Sequence, residues 1–149
     1  MAKDAYNNLV FPGATSVGLR NVGSYQVSGH PYITGSTMVQ NEEKKISFPY
    51  VSKKVTVIAS GSQPDLGLRV HFAPTGSTDP GGTGVVDGLH YIVLGSHEDS
   101  IELDVKCKEV YVSSPGGTGG FMLYASLTNI PTARMYAVTG SGITDGPGD

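Results

Sequence analysis

Apolar residues recur in this chain at a constant spacing of 55 positions, across three successive runs of alternating residues. Alternation of this kind is typical of a β-strand that buries one face. A slip of a single position would turn every side chain to the opposite face, so a spacing kept over three runs predicts one β unit used twice. The first copy contains Ile46, Phe48, Val55, Val57, Leu66, Leu68, Val70 and Phe72, and the second contains Ile101, Leu103, Val110, Val112, Phe121, Leu123, Ala125 and Leu127.

The rest of the chain favours the same class of fold. No segment places apolar residues at i, i+3, i+4 and i+7 for long enough to predict a helix. At 149 residues the chain fits one domain, provided that both units share a core. We therefore predict an all-β fold, a single-domain antiparallel β-sandwich (jelly-roll-like) of roughly eight to nine strands. The spacing makes this a sandwich with an internal 55-residue pseudo-repeat.

The two ends of the chain differ in composition from its middle. Near the start a short apolar stretch is followed by a Pro-Gly pair, and the end is rich in glycine. We expect an extended N-terminal arm over residues 1–22, the β-sandwich domain over residues 23–139 and a flexible C-terminal tail over residues 140–149.

Two segments inside the domain have distinct patterns. Residues 42–45 are consecutive charged residues and predict a turn. Residues 134–139 follow an Asn-Ile-Pro sequence and predict one last strand.

The two copies of the β unit differ on the face that points away from the alternating apolar residues. The first copy carries Arg69 and His71 there, whereas the second carries Tyr124 and Ser126, next to Met122. A strand that is apolar on both faces is typical of a sheet with both sides covered. The asymmetry predicts that one sheet surface is covered by another chain or by a terminal arm.

Composition excludes several classes of partner. The formal net charge of -3 provides no basic field for a phosphate backbone, which argues against nucleic acid. No apolar run approaches the length of a membrane span, and the first residues lack an apolar signal region. The single cysteine, Cys107, cannot form an internal disulfide. We expect a soluble protein, made in the cytoplasm, that binds neither nucleic acid nor membrane.

Two glycine-rich loops share the sequence Pro-Gly-Gly-Thr-Gly, at residues 80–84 and 115–119. Loops of this composition bind phosphate when a helix N-terminus follows them. Extended sequences follow both loops here, so we interpret them as connections between strands.

Residues capable of catalysis or metal binding form no recognisable set. We interpret His97, Glu98 and Asp99, with His90 nearby, as a polar turn rather than a metal site. Cys107 continues an apolar face and is expected to be a buried, inert thiol. No nucleophile elbow links a strand to a helix. We predict no catalytic residue, no metal ligand and no cofactor, and a protein that is not an enzyme.

Carbohydrate binding is an alternative function. Exposed aromatic rings with polar neighbours can form sugar sites, and the chain has several tyrosines but no tryptophan, the aromatic with the largest stacking face. Tyr111 faces away from Val110 and Val112, where it would serve as a sugar platform or as an interface anchor.

The chain combines a short β-domain, an N-terminal arm, glycine-rich loops and the absence of a catalytic set with the stretches 48–51 and 106–111. In these features it resembles the small all-β virion structural proteins of tailed bacteriophages. In particular it is similar to the capsid decoration (cement) proteins. The resemblance implies a non-enzymatic protein that is made in the host cytoplasm and resides on the outer capsid surface. It would bind the major capsid protein and form a homo-oligomer, expected to be a trimer. A tail or neck component and a carbohydrate-binding module stay as alternatives.

The contact surface is expected where the arm is apolar and where the second copy departs from the first. The predicted interface residues are Leu9, Val10, Phe11, Tyr111, Met122 and Tyr124.

Overall fold

The structure, a computed structural model, describes residues 2–3, 9–10, 29–60, 67–77, 82, 84–136, 138–140 and 142. Nearly all of its regular structure is β. The strands are β1 (Ala2–Lys3), β2 (Leu9–Val10), β3 (His30–Met38), β4 (Glu42–Ser47), β5 (Tyr50–Ser60), β6 (Leu68–His71), β7 (Ile92–Leu94), β8 (Ser100–Leu103), β9 (Glu109–Ser114) and β10 (Gly119–Pro131).

Two four-stranded antiparallel sheets form the sandwich, and β1 pairs with β2 in a separate two-stranded sheet. The first sheet has the order β3-β10-β5-β8 and the second the order β4-β9-β6-β7. This is the strand order of a jelly roll, in which two Greek keys form two packed sheets. The predicted all-β, jelly-roll-like sandwich is confirmed.

The 55-residue spacing relates one sheet to the other. It maps β4 onto β8, β5 onto β9 and β6 onto β10, and each strand and its counterpart lie in different sheets. The pairing registers differ by two residues, since Ile46 pairs with Val110 whereas Val55 pairs with Leu103 rather than Ile101. An even shift leaves every side chain on its own face. The repeat is therefore an approximate twofold relation between the sheets.

Residues related by this spacing meet in the middle of the sandwich. Ser52 and Cys107 are 55 positions apart, and their Oγ and Sγ atoms lie 3.2 Å from each other. The Cys107 amide donates to the Ser52 hydroxyl at 3.0 Å, and the Ser52 amide donates to the Cys107 carbonyl at 2.9 Å. Both residues are buried. Two equivalent positions can touch only near the axis that relates them, so the approximate axis passes here.

The two copies of the β unit do not fold as separate units. Each ladder within the two sheets joins one strand from β3–β6 to one strand from β7–β10. The core between the sheets is consequently shared by both copies. Its buried residues are Met38, Ile46, Phe48, Val55, Val57, Ala59, Leu68, Val70, Leu94, Cys107, Val110, Val112, Phe121, Leu123, Ala125 and Leu127.

Two local predictions were wrong. Residues 42–45 belong to β4 and not to a turn, because β9 pairs with them and their charges are matched: Lys44 lies 2.9 Å from Glu42, and Lys45 lies 2.9 Å from Glu109. The predicted last strand over residues 134–139 is absent from the described residues there. The chain instead forms a 3₁₀ turn, Thr132–Arg134, closed by a bond from the Met135 amide to the Thr132 carbonyl.

The described residues include no helix with the length and apolar composition needed to cross a membrane.

Candidate functional site

The outer faces of the two sheets are built differently. On the second sheet the chain covers its own face with the segment that follows β6. The Glu43 carboxylate accepts hydrogen bonds from the Thr75 amide at 3.3 Å and from the Thr75 hydroxyl at 2.8 Å, which fastens that segment to β4. This surface is therefore occupied from within the chain.

His71 is the centre of this covered face. Its Nδ1 lies 2.8 Å from the Ala73 carbonyl, which can only accept, so Nδ1 carries a hydrogen and donates. In the neutral ring Nε2 then accepts from the Ser113 hydroxyl at 3.0 Å. The side chain is 1% exposed, and burial holds the pKa of His71 below its ordinary value.

Tyr111 belongs to the same covered face. Its ring stacks on the His71 ring with 5.9 Å between centroids, and the residue is 6% exposed. Its hydroxyl lies 3.4 Å from a Glu109 carboxylate oxygen, to which it donates. Of the predicted interface residues, Tyr111 thus lies on the opposite outer face from Met122 and Tyr124, and it has little surface to offer a partner.

The outer face of the first sheet carries a group of apolar side chains, here called the bare face: Ile33, Ile58, Met122 and Tyr124. In the sheet register Tyr124 lies beside Ile33, and Met122 lies beside Ile58. Ile33 is 76% exposed, Met122 50% and Tyr124 40%. Single exposed apolar residues are ordinary, but exposed neighbours on the adjacent strands β3 and β10, with the half-buried Ile58 beside them on β5, are typical of an interaction surface.

A charged cluster borders the bare face. The Lys54 ammonium lies 2.7 Å from a Glu102 carboxylate oxygen and 3.8 Å from an Asp104 one. The hydrogen bond to Glu102 raises the pKa of Lys54. An apolar centre with a polar border is the usual anatomy of a protein–protein contact surface.

The structure brings together only part of the predicted interface. Met122 and Tyr124 are neighbours on β10, as the alternation predicted. Leu9 and Val10 form β2, but their side chains lie outside the described residues, as does the whole of Phe11. Sequence reasoning missed Ile33 and Ile58. Ile33 and Ile58 alternate with the core-facing residues of β3 and β5, and this alternation places them on the outer face. It indicates a shared apolar surface only when β10 is known to lie between those two strands.

The second sheet also has a polar cleft of about 200 Å³, lined among others by Glu43, Arg69 and Ser113. Two of its groups have hydrogen-bond partners inside the chain, since Glu43 binds Thr75 and Ser113 binds His71. The Arg69 guanidinium lies 4.3 Å from the centre of the Tyr91 ring, and its buried Nε has no hydrogen-bond partner among the described residues. The cleft is a structural hydrogen-bond network that holds the covering segment in place.

The segment that the sequence predicts to be a polar turn rather than a metal site has a structural role. The Asp99 carboxylate accepts from the Gly95 amide at 3.0 Å and from the Ser96 amide at 2.9 Å. Hydrogen bonds from Ser96, first from its side chain and then from its amide, lower the pKa of Asp99. Bonds of this type close the polar turn before β8, as predicted. Over the described ranges, no three His, Cys, Asp or Glu side chains are grouped so that they could hold a metal ion.

The remaining candidates for chemistry also take structural positions. Cys107 is 2% exposed, and burial raises the pKa of its thiol to about 11, so the buried thiol is confirmed. The loop at residues 115–119 connects β9 directly to β10, as expected of a strand connection. The equivalent loop at residues 80–84 lies mostly outside the described residues. The extended sequence expected after it was wrong, because residues 85–89 form turns closed by bonds such as that from the Gly88 amide to the Gly84 carbonyl at 2.9 Å.

Comparison with protein-family models, with curated proteins and with solved structures finds no match for this chain.

Proposed function

We propose that this protein is a non-enzymatic virion structural protein, a capsid decoration (cement) protein that binds the outer surface of an assembled shell and stabilises it. The observation that supports this most is the bare face, since neighbouring exposed apolar side chains on one sheet match the kind of surface that a protein partner covers. The jelly-roll fold agrees with the proposal, because viral capsid domains use it, but lectins use it as well.

The chemistry of the bare face favours a protein partner over a sugar. Ile33, Ile58 and Met122 offer aliphatic and thioether surface without hydrogen-bonding groups, and Tyr124 supplies a single aromatic ring. A saccharide needs several polar groups placed around its hydroxyls, whereas packed aliphatic and aromatic side chains match the centre of a protein–protein interface.

In the mechanism that we propose, the bare face docks on the major capsid protein and excludes water there. The polar cluster around Lys54 fixes the orientation at the border of the contact. The N-terminal arm reaches a neighbouring subunit, and a homo-oligomer, expected to be a trimer, multiplies these contacts. Several weak contacts that act together bind far more tightly than one, which suits a protein that stabilises a shell from outside.

The first test is whether the protein resides in the particle. Mass spectrometry of purified virions should detect the chain at a fixed ratio to the major capsid protein. A chain that is absent from purified particles would contradict the proposal.

The second test places a charge in the bare face. Met122→Glu should weaken binding to shells that lack the protein by about tenfold or more, because an unpaired buried charge costs several kcal/mol and about 1.4 kcal/mol corresponds to tenfold. Thr118→Glu adds the same charge at an exposed loop position and should bind like the unmodified protein. Equal binding by both variants would show that the bare face is not the contact.

Two further measurements separate the alternatives. Deletion of residues 1–22 should lower the retention of the protein on shells, and unchanged retention would remove the arm from the mechanism. Glycan binding by a monomer, lost on Tyr124→Ala, would favour the carbohydrate-binding module instead.

A further inference from the structure

Among the strands that the structure describes, four form the edges of the two sheets, β3 and β8 in the first and β4 and β7 in the second. Unpaired strand edges invite pairing with other chains, and charged side chains are the usual protection against it. β4 contains Glu42, Glu43, Lys44 and Lys45, and β8 contains Glu102 and is followed by Asp104. Neither β3 nor β7 contains Asp, Glu, Lys or Arg; β3 is nine residues long with a proline, Pro31, only at its start, and β7 has three residues.

The two uncharged edges also carry exposed apolar side chains. Ile33 on β3 is 76% exposed, and Val93 on β7 is 47% exposed. Just before β7, Leu89 is 71% exposed at the end of a tight turn and has a positive φ of 57°. This conformation is unfavourable for leucine, and such outliers concentrate at functional positions.

We infer that β3 of one copy of this protein pairs with β7 of the next copy. The inference rests on the proposed function, because it identifies the contact that builds the oligomer. A strand edge is complemented by a second strand edge, because the amide and carbonyl groups of the second strand fill the hydrogen-bonding positions of the first. Both edges are uncharged, so the contact desolvates no ionised group, and a second copy of the chain supplies both halves of it.

A contact between two different edges explains more of the surface than a symmetric one. Pairing of β3 with β3 of a second copy would leave the β7 edge unpaired, whereas pairing of β3 with β7 covers both edges with one kind of contact. Such a contact is heterologous, and repetition of one rotation closes it into a ring. The expected trimer is a ring of this kind.

Edge pairing also leaves the bare face available. The strands join through their backbones, and the side chains of Ile33, Met122 and Tyr124 stay on the outer face of the extended sheet. Each subunit in the ring can therefore present its bare face to the shell while its edges hold its neighbours.

Cysteine cross-linking distinguishes this arrangement from its alternatives. Thr37→Cys places a thiol at an exposed position of β3, and Val93→Cys places one on β7. With a short bismaleimide, a mixture of the two variants should give cross-linked dimers, and each variant alone should give few. Unmodified protein is the control, because its buried Cys107 should not react in the native state. Efficient cross-linking of Thr37→Cys alone would indicate a symmetric pairing of β3 and overturn the inference.

A charge on the edge provides a second test. Thr37→Lys should shift the mass measured by light scattering from oligomer to monomer, whereas the matched change Ser100→Lys on β8 should leave the oligomer intact. An unchanged oligomer with Thr37→Lys would contradict the inference, as would the absence of cross-links both in solution and on shells. If these tests contradict β3–β7 pairing but the unmodified protein still binds shells, the proposed function stands. If the unmodified protein does not bind shells, the proposed function itself is contradicted.

Discussion

At the scale of single residues, His71 acquires its role from what the fold places around it. The sequence puts it on the polar face of a strand, beside Arg69, where a solvated side chain is expected. In the structure the segment after β6 folds back over that face, and the ring is bonded at both nitrogens and stacked on Tyr111. A polar residue can be buried at this position because each of its polar atoms has a partner.

The pH dependence of stability should report this burial. The pKa of His71 is lowered in the folded state, so the unfolded chain takes up a proton first as the pH falls through about 6.5, the ordinary value. The contribution of His71 to stability is therefore complete above that pH and is lost as the pH falls below it. Denaturant titrations between pH 8 and pH 5 should show a smaller loss of unfolding free energy for His71→Gln than for the unmodified protein.

The control for this prediction is His97→Gln, which makes the same change at an exposed turn position. That variant should lose stability with falling pH in the same way as the unmodified protein. Parallel curves for His71→Gln and the unmodified protein would show that burial of the ring does not affect the pH dependence.

At the scale of elements, β10 organises the first sheet, because it pairs with β3 on one side and with β5 on the other. β3 approaches β10 closely at Gly35. A Cβ atom at this position would lie 2.8 Å from the Phe121 carbonyl oxygen, a backbone atom that cannot move aside without distorting the ladder. The glycine thus permits the approach of the strand that carries Ile33.

Gly35→Ala should destabilise the fold by about 1–3 kcal/mol, the usual cost of inserting a carbon into a packed site. Gly76→Ala is the matched control, because a Cβ at Gly76 meets no atom within 4 Å. That variant should stay within about 0.5 kcal/mol of the unmodified protein in the free energy of unfolding, as surface substitutions do. Equal stability of the two variants would contradict the close approach of β3 and β10.

At the scale of the whole molecule, the two copies of the β unit are intertwined in shared sheets and do not form two separate modules. Every ladder of the sandwich joins a strand from β3–β6 to a strand from β7–β10, and Ser52 contacts Cys107 across the approximate axis. Each half of the chain therefore lacks the sheet partners of its own sandwich strands, and the core contains residues of both halves.

Fragments 1–77 and 78–149, expressed separately, should lack the far-ultraviolet circular dichroism of β-sheet. The intact chain should unfold in one cooperative transition, because both copies share one core. Cleavage of the loop between the halves after folding should leave the sandwich assembled, which controls for the loss of chain continuity. A fragment that forms a stable sheet alone would contradict the intertwined arrangement.

The sequence by itself determined the class of fold, the pseudo-repeat and the faces of the strands, because alternation depends on local geometry that repeats with a period of two. It also predicted the burial of Cys107 and the exposure of Met122 and Tyr124 opposite the core. Only the tertiary structure decided which strands are neighbours. That order placed Ile33 and Ile58 on either side of β10, covered Tyr111 and His71 on the other sheet, and turned a charged segment into β4. Which distant strands pair depends on the combined stability of all the ladders and of the shared core. No local stretch of sequence determines that stability, because the partners lie far apart in the chain.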